Sequence, residues 1–224
     1  MEFVEYPDRD MMFLDLADRL ASELAEALHA ERTATFAVPG GTTPGPVFDA
    51  LSGLHIEWDR VVVLPTDERW VPEDSPRSNA RLIRQRLLVG KAAAARFVPL
   101  YLSAERPEDR LADLAEAVSA VLPLSVLLLG MGEDGHTASL FPRAEGLAEA
   151  LDDDAPPVAA IRAPGAPEPR VTLTGPVLRG AVRTHVLITG ARKREVLFEA
   201  VERDDPLAMP IATVLDEATV HWAA

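Results

Sequence analysis

Short apolar runs of strand length recur along this chain, and stretches with helical spacing separate them. Thr33–Val38, Val61–Leu64, Ser125–Leu129 and His185–Thr189 are the clearest runs. They are aliphatic and β-branched, and too short to be buried helices. Between them, Met12, Leu16, Leu20, Leu24 and Leu28 recur at every fourth position of Asp8–His29, which predicts an amphipathic helix. Helices are also predicted from Pro44 to Leu51 with Thr43 as cap, over Ala80–Leu88 with Ser78 or Asn79 as cap, and over Glu108–Val121 and Lys193–Val201. Strands joined through helices pair in parallel. The fold predicted is α/β: a three-layer, mainly parallel open sheet with helices on both faces. Val171–Leu173 and Thr219–Trp222 read as later strands. Leu151–Pro169, with Asp152–Asp154 and five prolines, reads as a surface connection around one short strand near Val158–Ile161. The stretch beyond it is too short for a core of its own, so residues 1–224 are expected to form a single domain.

Composition removes several kinds of chemistry. The chain has no cysteine, which excludes disulfides, thiolate metal sites, iron–sulfur clusters and thiol nucleophiles, and suits a cytoplasmic location. The first residues lack the basic start and apolar run of a signal peptide, and no apolar run is long enough to span a bilayer. A net charge of −14 repels nucleic acid and anionic membranes, so neither is an expected partner. It repels anionic metabolites as well. A site for one needs its own cations and backbone N–H groups, and only two lysines, Lys91 and Lys193, occur.

Four polar segments stand at the carboxyl ends of the predicted strands, where open α/β sheets bind ligands. In the first, Gly40, Gly41, Thr42 and Thr43 precede a helix start. The pattern suits a phosphate cradle of N–H groups and hydroxyls, or an ordinary capped turn. In the second, Asp67, Glu68 and Arg69 are followed by Arg77, Ser78 and Asn79. The carboxylate pair beside arginines could position water or bind a sugar hydroxyl; the alternative is a solvated charged turn with Asn79 as a cap. The third, Gly130–Pro142, carries His136, the only one of five histidines in a glycine-flanked strand-end loop. Its imidazole suits a general base for water, with Asp134 placed to orient it. In the fourth, Lys193 follows Gly190 at a helix start. A cation is poorly placed there unless an anion binds, and the alternative is a solvated basic turn.

Gly130, Gly132 and Gly135 imitate the dinucleotide fingerprint. That motif requires a helix of several turns next, and Pro142 interrupts seven residues after Gly135. The sheet is therefore expected to be Rossmann-like without binding a dinucleotide. No nucleophile elbow, zinc-protease helix or Walker A loop occurs.

The four segments, in this order, resemble the 6-phosphogluconolactonase family. The resemblance rests on Pro39–Pro44, Asp67–Pro72 with Ser78-Asn79, Gly130–Pro142, Arg170–Thr174 and Gly190 with Lys193, and it extends over nearly the whole chain. The related glucosamine-6-phosphate deaminases share the aspartate-glycine-histidine segment but continue it differently. Here it runs Thr137-Ala138-Ser139-Leu140-Phe141-Pro142, as in the lactonases. The resemblance implies hydrolysis of 6-phospho-D-glucono-1,5-lactone without metal or cofactor. It implies His136 as base, Asp67, Arg69 and Asp134 around the reacting centre, and Gly40, Gly41, Thr42, Thr43 and Lys193 on the phosphate, with help from Arg77 or Arg170. The deaminase reaction and a non-catalytic sugar-phosphate sensor are the alternatives. The partner expected is a small sugar phosphate, and the oligomeric state is left open.

Overall fold

The computed structural model describes residues 1–224. In chain order the elements are β1 (Glu2–Glu5), α1 (Arg9–Ala30), β2 (Ala34–Val38), α2 (Gly45–Ser52), β3 (Val61–Pro65), β4 (Asp67–Arg69), α3 (Asn79–Arg86), β5 (Arg96–Phe97), α4 (Leu111–Ser119), β6 (Val126–Gly130), α5 (Leu147–Leu151), β7 (Val158–Ile161), β8 (Arg170–Leu173), α6 (Gly175–Arg179), β9 (Arg183–Thr189), α7 (Ala191–Arg203), α8 (Ala212–Leu215) and β10 (Thr219–Ala223). Seven strands form one sheet in the order β1-β10-β9-β6-β2-β3-β5. Every pairing in it is parallel. β4, β8 and β7 make a second, antiparallel sheet.

Alternation along the central strands sends successive side chains to opposite faces. Phe36, Val61, Val63, Val126 and Leu128 join Leu16, Leu20 and Leu24 of α1, Phe48 of α2 and Ile83 of α3 in one cluster. Ala37, Val62, Leu64, Leu127, Leu129, Val186 and Ile188 join Leu114 of α4, Leu178 of α6 and Leu197 of α7 in the other. Both faces are therefore covered, as the continuous apolar runs require. Val158, Ile161, Val171 and Leu173 of the small sheet belong to the second cluster.

The predicted elements appear with shifted ends. Asp8 caps α1 by accepting the Met11 N–H at 2.8 Å. Ser78 caps α3, accepting from the Arg81 N–H at 3.2 Å. Thr43 does not cap α2: Pro44 occupies the cap position, the helix opens at Gly45, and no side chain caps it. The predicted helix 108–121 opens instead as a 3-10 turn, Pro107–Arg110, because Arg110 leaves helical geometry at φ −129°, ψ 2°. The second sheet was not predicted. Its strand β4 is three charged residues, which read locally as a turn, and its partner β8 lies about a hundred residues on.

The chain runs from β2 to β3 in one direction across the sheet, whereas β6 lies on the other side of β2 and leads on to β9. Connections leaving β2 and β6 diverge, and a crevice opens at their carboxyl ends. No helix is long and apolar enough to cross a membrane.

Candidate active site

A cavity of about 310 Å³ occupies that crevice. Its floor is the turn after β2. Gly41 has φ +84°, a conformation that favours glycine, and the space where its side chain would lie is open. Gly40 packs directly on Asn79, since a Cβ there would meet the Asn79 amide oxygen at 1.9 Å. Thr42 and Thr43 line the cavity. The first turn of α2 has neither a side-chain cap nor an acid; its Gly45 and Phe48 N–H groups donate to the Thr42 and Pro44 carbonyls, and Pro46 has no N–H.

The loop after β6 supplies the imidazole. The Gly132 N–H donates to the His136 carbonyl at 2.9 Å, and the Thr137 hydroxyl donates to the Gly130 carbonyl at 2.8 Å. A Cβ on Gly132 would lie 2.1 Å from His136 Nδ1, so glycine there makes room for the ring. Asp134 Oδ1 accepts the His136 backbone N–H at 3.1 Å and meets Nδ1 at 2.5 Å. That bond from His136 holds the Asp134 carboxyl below its ordinary range. An ionised Asp134 places the proton on Nδ1 and leaves the Nε2 lone pair free. Phe141 lies against the imidazole with ring centroids 4.2 Å apart.

β4 divides its charges by strand alternation. Asp67 and Arg69 line the cavity, and Glu68 turns away and is fully buried. The Glu68 carboxylate accepts the N–H groups of Arg69 (2.8 Å), Asn79 (2.7 Å) and Ala80 (2.7 Å) and the Ser78 hydroxyl (3.0 Å). Burial pushes its carboxyl up, and these donors oppose that rise. Glu68 thus fastens the start of α3 to the site. Asp67 is held from two sides: Ser139 Oγ donates to Oδ2 at 2.5 Å, and Asn79 Nδ2 donates to its carbonyl at 2.8 Å. Arg170 stands 3.8 Å from the same Oδ2.

Lys193 sits in the first turn of α7, which contains no acid. Its neighbours Arg192 and Arg194 pair with Glu195 and Glu5, while Lys193 lines the cavity with no ion pair of its own.

Residues 7–222 match the family model for glucosamine-6-phosphate isomerases/6-phosphogluconolactonase. The chain belongs to this family. It is 46% identical to the 6-phosphogluconolactonase of Mesorhizobium japonicum, over 97% of this chain and 93% of that protein. It is 41% identical to that of Pseudomonas aeruginosa, over 92% of this chain and 88% of that one. The crystal structure of a 6-phosphogluconolactonase from Shewanella baltica superposes with a TM-score of 0.96 at 35% identity, covering 100% of this chain and 98% of the other. A monomeric glucosamine-6-phosphate deaminase superposes with a TM-score of 0.82 at 18% identity, over 100% of this chain and 97% of its own, a likeness of fold alone.

In this family member the crevice gathers Gly40, Gly41, Thr42, Thr43, Asp67, Arg69, His136, Arg170 and Lys193 around one space. Asp134 acts on it through His136. Arg77 does not join it: its guanidinium is held by Glu168 at 2.6 and 3.0 Å, and only its carbonyl turns towards the site, accepting from Arg69. Arg170 stands beside Asp67, opposite Arg69 in the small sheet, with its guanidinium over the Phe141 ring, 5.1 Å from the centroid. Asn79, Ser139 and Phe141 were not expected as site residues. Asn79 read as a cap and Ser139 as loop sequence, and their contacts depend on where Asp67 comes to lie.

Proposed function

We propose that the protein hydrolyses 6-phospho-D-glucono-1,5-lactone to 6-phospho-D-gluconate, the lactone-opening step of the oxidative pentose phosphate pathway, and that residues 1–224 act as one domain in the cytoplasm. The observation that carries this reading is the Asp134–His136 pair at the mouth of a cavity whose other walls suit a phosphate and a polyol. Its family relatives named as lactonases support it.

In this reading His136 Nε2 takes a proton from water as the water oxygen bonds to the lactone carbonyl carbon. Arg69 and nearby N–H groups stabilise the negative charge that develops on the carbonyl oxygen. As the intermediate collapses, the bond from that carbon to the ring oxygen breaks. The proton on His136 passes to the departing oxygen, which becomes a hydroxyl. Asp67 receives sugar hydroxyls, and Gly41, Thr42, Thr43 and Lys193 hold the phosphate, which fixes the ring for attack.

The test is to follow freshly generated lactone in the presence of the protein. Consumption well above the spontaneous rate, with no ammonia released from glucosamine 6-phosphate, is expected. Spontaneous-rate decay or ammonia release would replace this reading with sensing or deamination.

A further inference from the structure

Two histidines lie side by side beneath α1, and the proposed mechanism uses neither. β9 and β10 pair with His185 opposite Thr219 and Leu187 opposite His221. Strand alternation therefore puts both imidazoles on the face of Leu187, which α1 covers. They are 1% and 0% exposed. On α1, Asp15, Arg19 and Glu23 recur at every fourth position and form one polar stripe. Stripe and histidines meet in a continuous chain. Tyr6 Oη lies 2.6 Å from Asp15 Oδ2 and 2.9 Å from His221 Nδ1. His221 Nε2 lies 3.0 Å from His185 Nδ1, and His185 Nε2 lies 2.7 Å from Glu23 Oε2. The other charged groups facing the chain are Arg19 and the acid beside it, Glu2, at 3.9 Å. None of these residues lines the crevice.

Four contacts of this length need four hydrogens, one between each pair of heavy atoms. In their ordinary states at neutral pH the five groups bring three: one on the Tyr6 hydroxyl, one on each imidazole and none on either carboxylate. With three, two acceptors face each other at one point of the chain, which is costly away from water. The neighbouring groups decide where. Burial and the bond to Asp15 hold the Tyr6 hydroxyl well above its ordinary range, so Tyr6 keeps its proton and donates to Asp15. Burial pushes the His221 imidazole down to about 3, so it carries a single proton, on Nδ1, and donates to Tyr6 Oη. His221 Nε2 then accepts from His185 Nδ1. The contact left without a hydrogen is His185 Nε2 against Glu23 Oε2.

We propose that the seam between α1 and the sheet is a binding site for one proton: the folded chain takes up a fourth hydrogen on His185 Nε2, and His185 stands as an imidazolium between Glu23 and His221. The proton completes the chain and fastens α1 to β9 and β10. It is bound by the fold, because Glu23, His185 and His221 meet only there. A proton held more tightly in the fold than in the unfolded chain adds stability that is fully present below the ordinary imidazole value of about 6.5 and is lost as pH rises above it. That sign is opposite to the one for a histidine that burial keeps neutral.

The test is nitrogen-15 NMR of the histidine rings in the intact protein at about pH 7.5, where free histidine is about nine-tenths neutral. His185 should show both ring nitrogens protonated and His221 only Nδ1. A His185 with one protonated nitrogen overturns the proposal, and that measurement needs no variant to fold. Glu23→Gln supplies the missing hydrogen from its own amide, so the chain closes without the extra proton. In that variant His185 should show a single protonated nitrogen at the same pH. The unmodified protein should also lose Tm relative to Glu23→Gln between about pH 7 and 9. A doubly protonated His185 in folded Glu23→Gln, or parallel Tm curves over that range, would overturn the assignment of the proton to this pair.

Discussion

His136 has one partner on its ring nitrogens, and the proposed mechanism depends on that partner. Asp134 meets Nδ1 at 2.5 Å and is held ionised by the bond. Replacing it with asparagine keeps the shape but removes the charge that keeps the proton on Nδ1 and stabilises an imidazolium. Asp134→Asn is therefore expected to lower kcat by about 10²- to 10⁴-fold, with KM changed little; unchanged turnover would remove Asp134 from the mechanism. His136 and Asp134 were legible in the sequence because the glycines around them mark a tight strand-end loop within a few residues. Ser139 and Asn79 were not, because each matters through Asp67, 72 and 12 residues away, and no local pattern encodes that approach.

At the scale of elements, a polar chain with two buried histidines at its centre ties α1 to the sheet away from the cavity. Asp15 of α1 accepts from Tyr6, Tyr6 meets His221 of β10 at 2.9 Å, His221 meets His185 of β9 at 3.0 Å, and His185 meets Glu23 of α1 at 2.7 Å. Burial, with His185 and Arg19 nearby, pushes the His221 imidazole down to about 3. A histidine lowered in the fold contributes stability that is fully present above its unfolded value of about 6.5 and is lost as pH falls towards 3. Between pH 7.5 and 5 this group alone accounts for about 2 kcal/mol, or roughly 4–8 °C in Tm. Thermal melts of His221→Gln should lose that much less over the same interval; an identical pH dependence would contradict the assignment. Continuous apolar runs made the central strands legible, and strong periodicity did the same for α1. β4 stayed hidden because three charged residues become a strand only once β8 lies beside them.

Across the whole molecule, a chain of net charge −14 places Arg69, Arg170 and Lys193 together in one crevice. The switch point between β2 and β6 sets where that crevice opens, and the strand-end segments face it because the sheet is parallel. The alternation of strands and helices therefore made the general position of the site legible. The side each arginine approaches from was not, since Arg170 and Arg77 are sorted by the small sheet and by Glu168. Lys193 faces the cavity without an acid, so Lys193→Ala should raise KM for the lactone by about tenfold or more and leave kcat within a few-fold. A loss confined to kcat would contradict phosphate anchoring. The most direct test of the lactonase mechanism is His136→Ala in the lactone assay, corrected for spontaneous hydrolysis. A fall in kcat of about 10²- to 10⁴-fold with KM nearly unchanged is predicted. Near-normal kcat in the folded variant would contradict it.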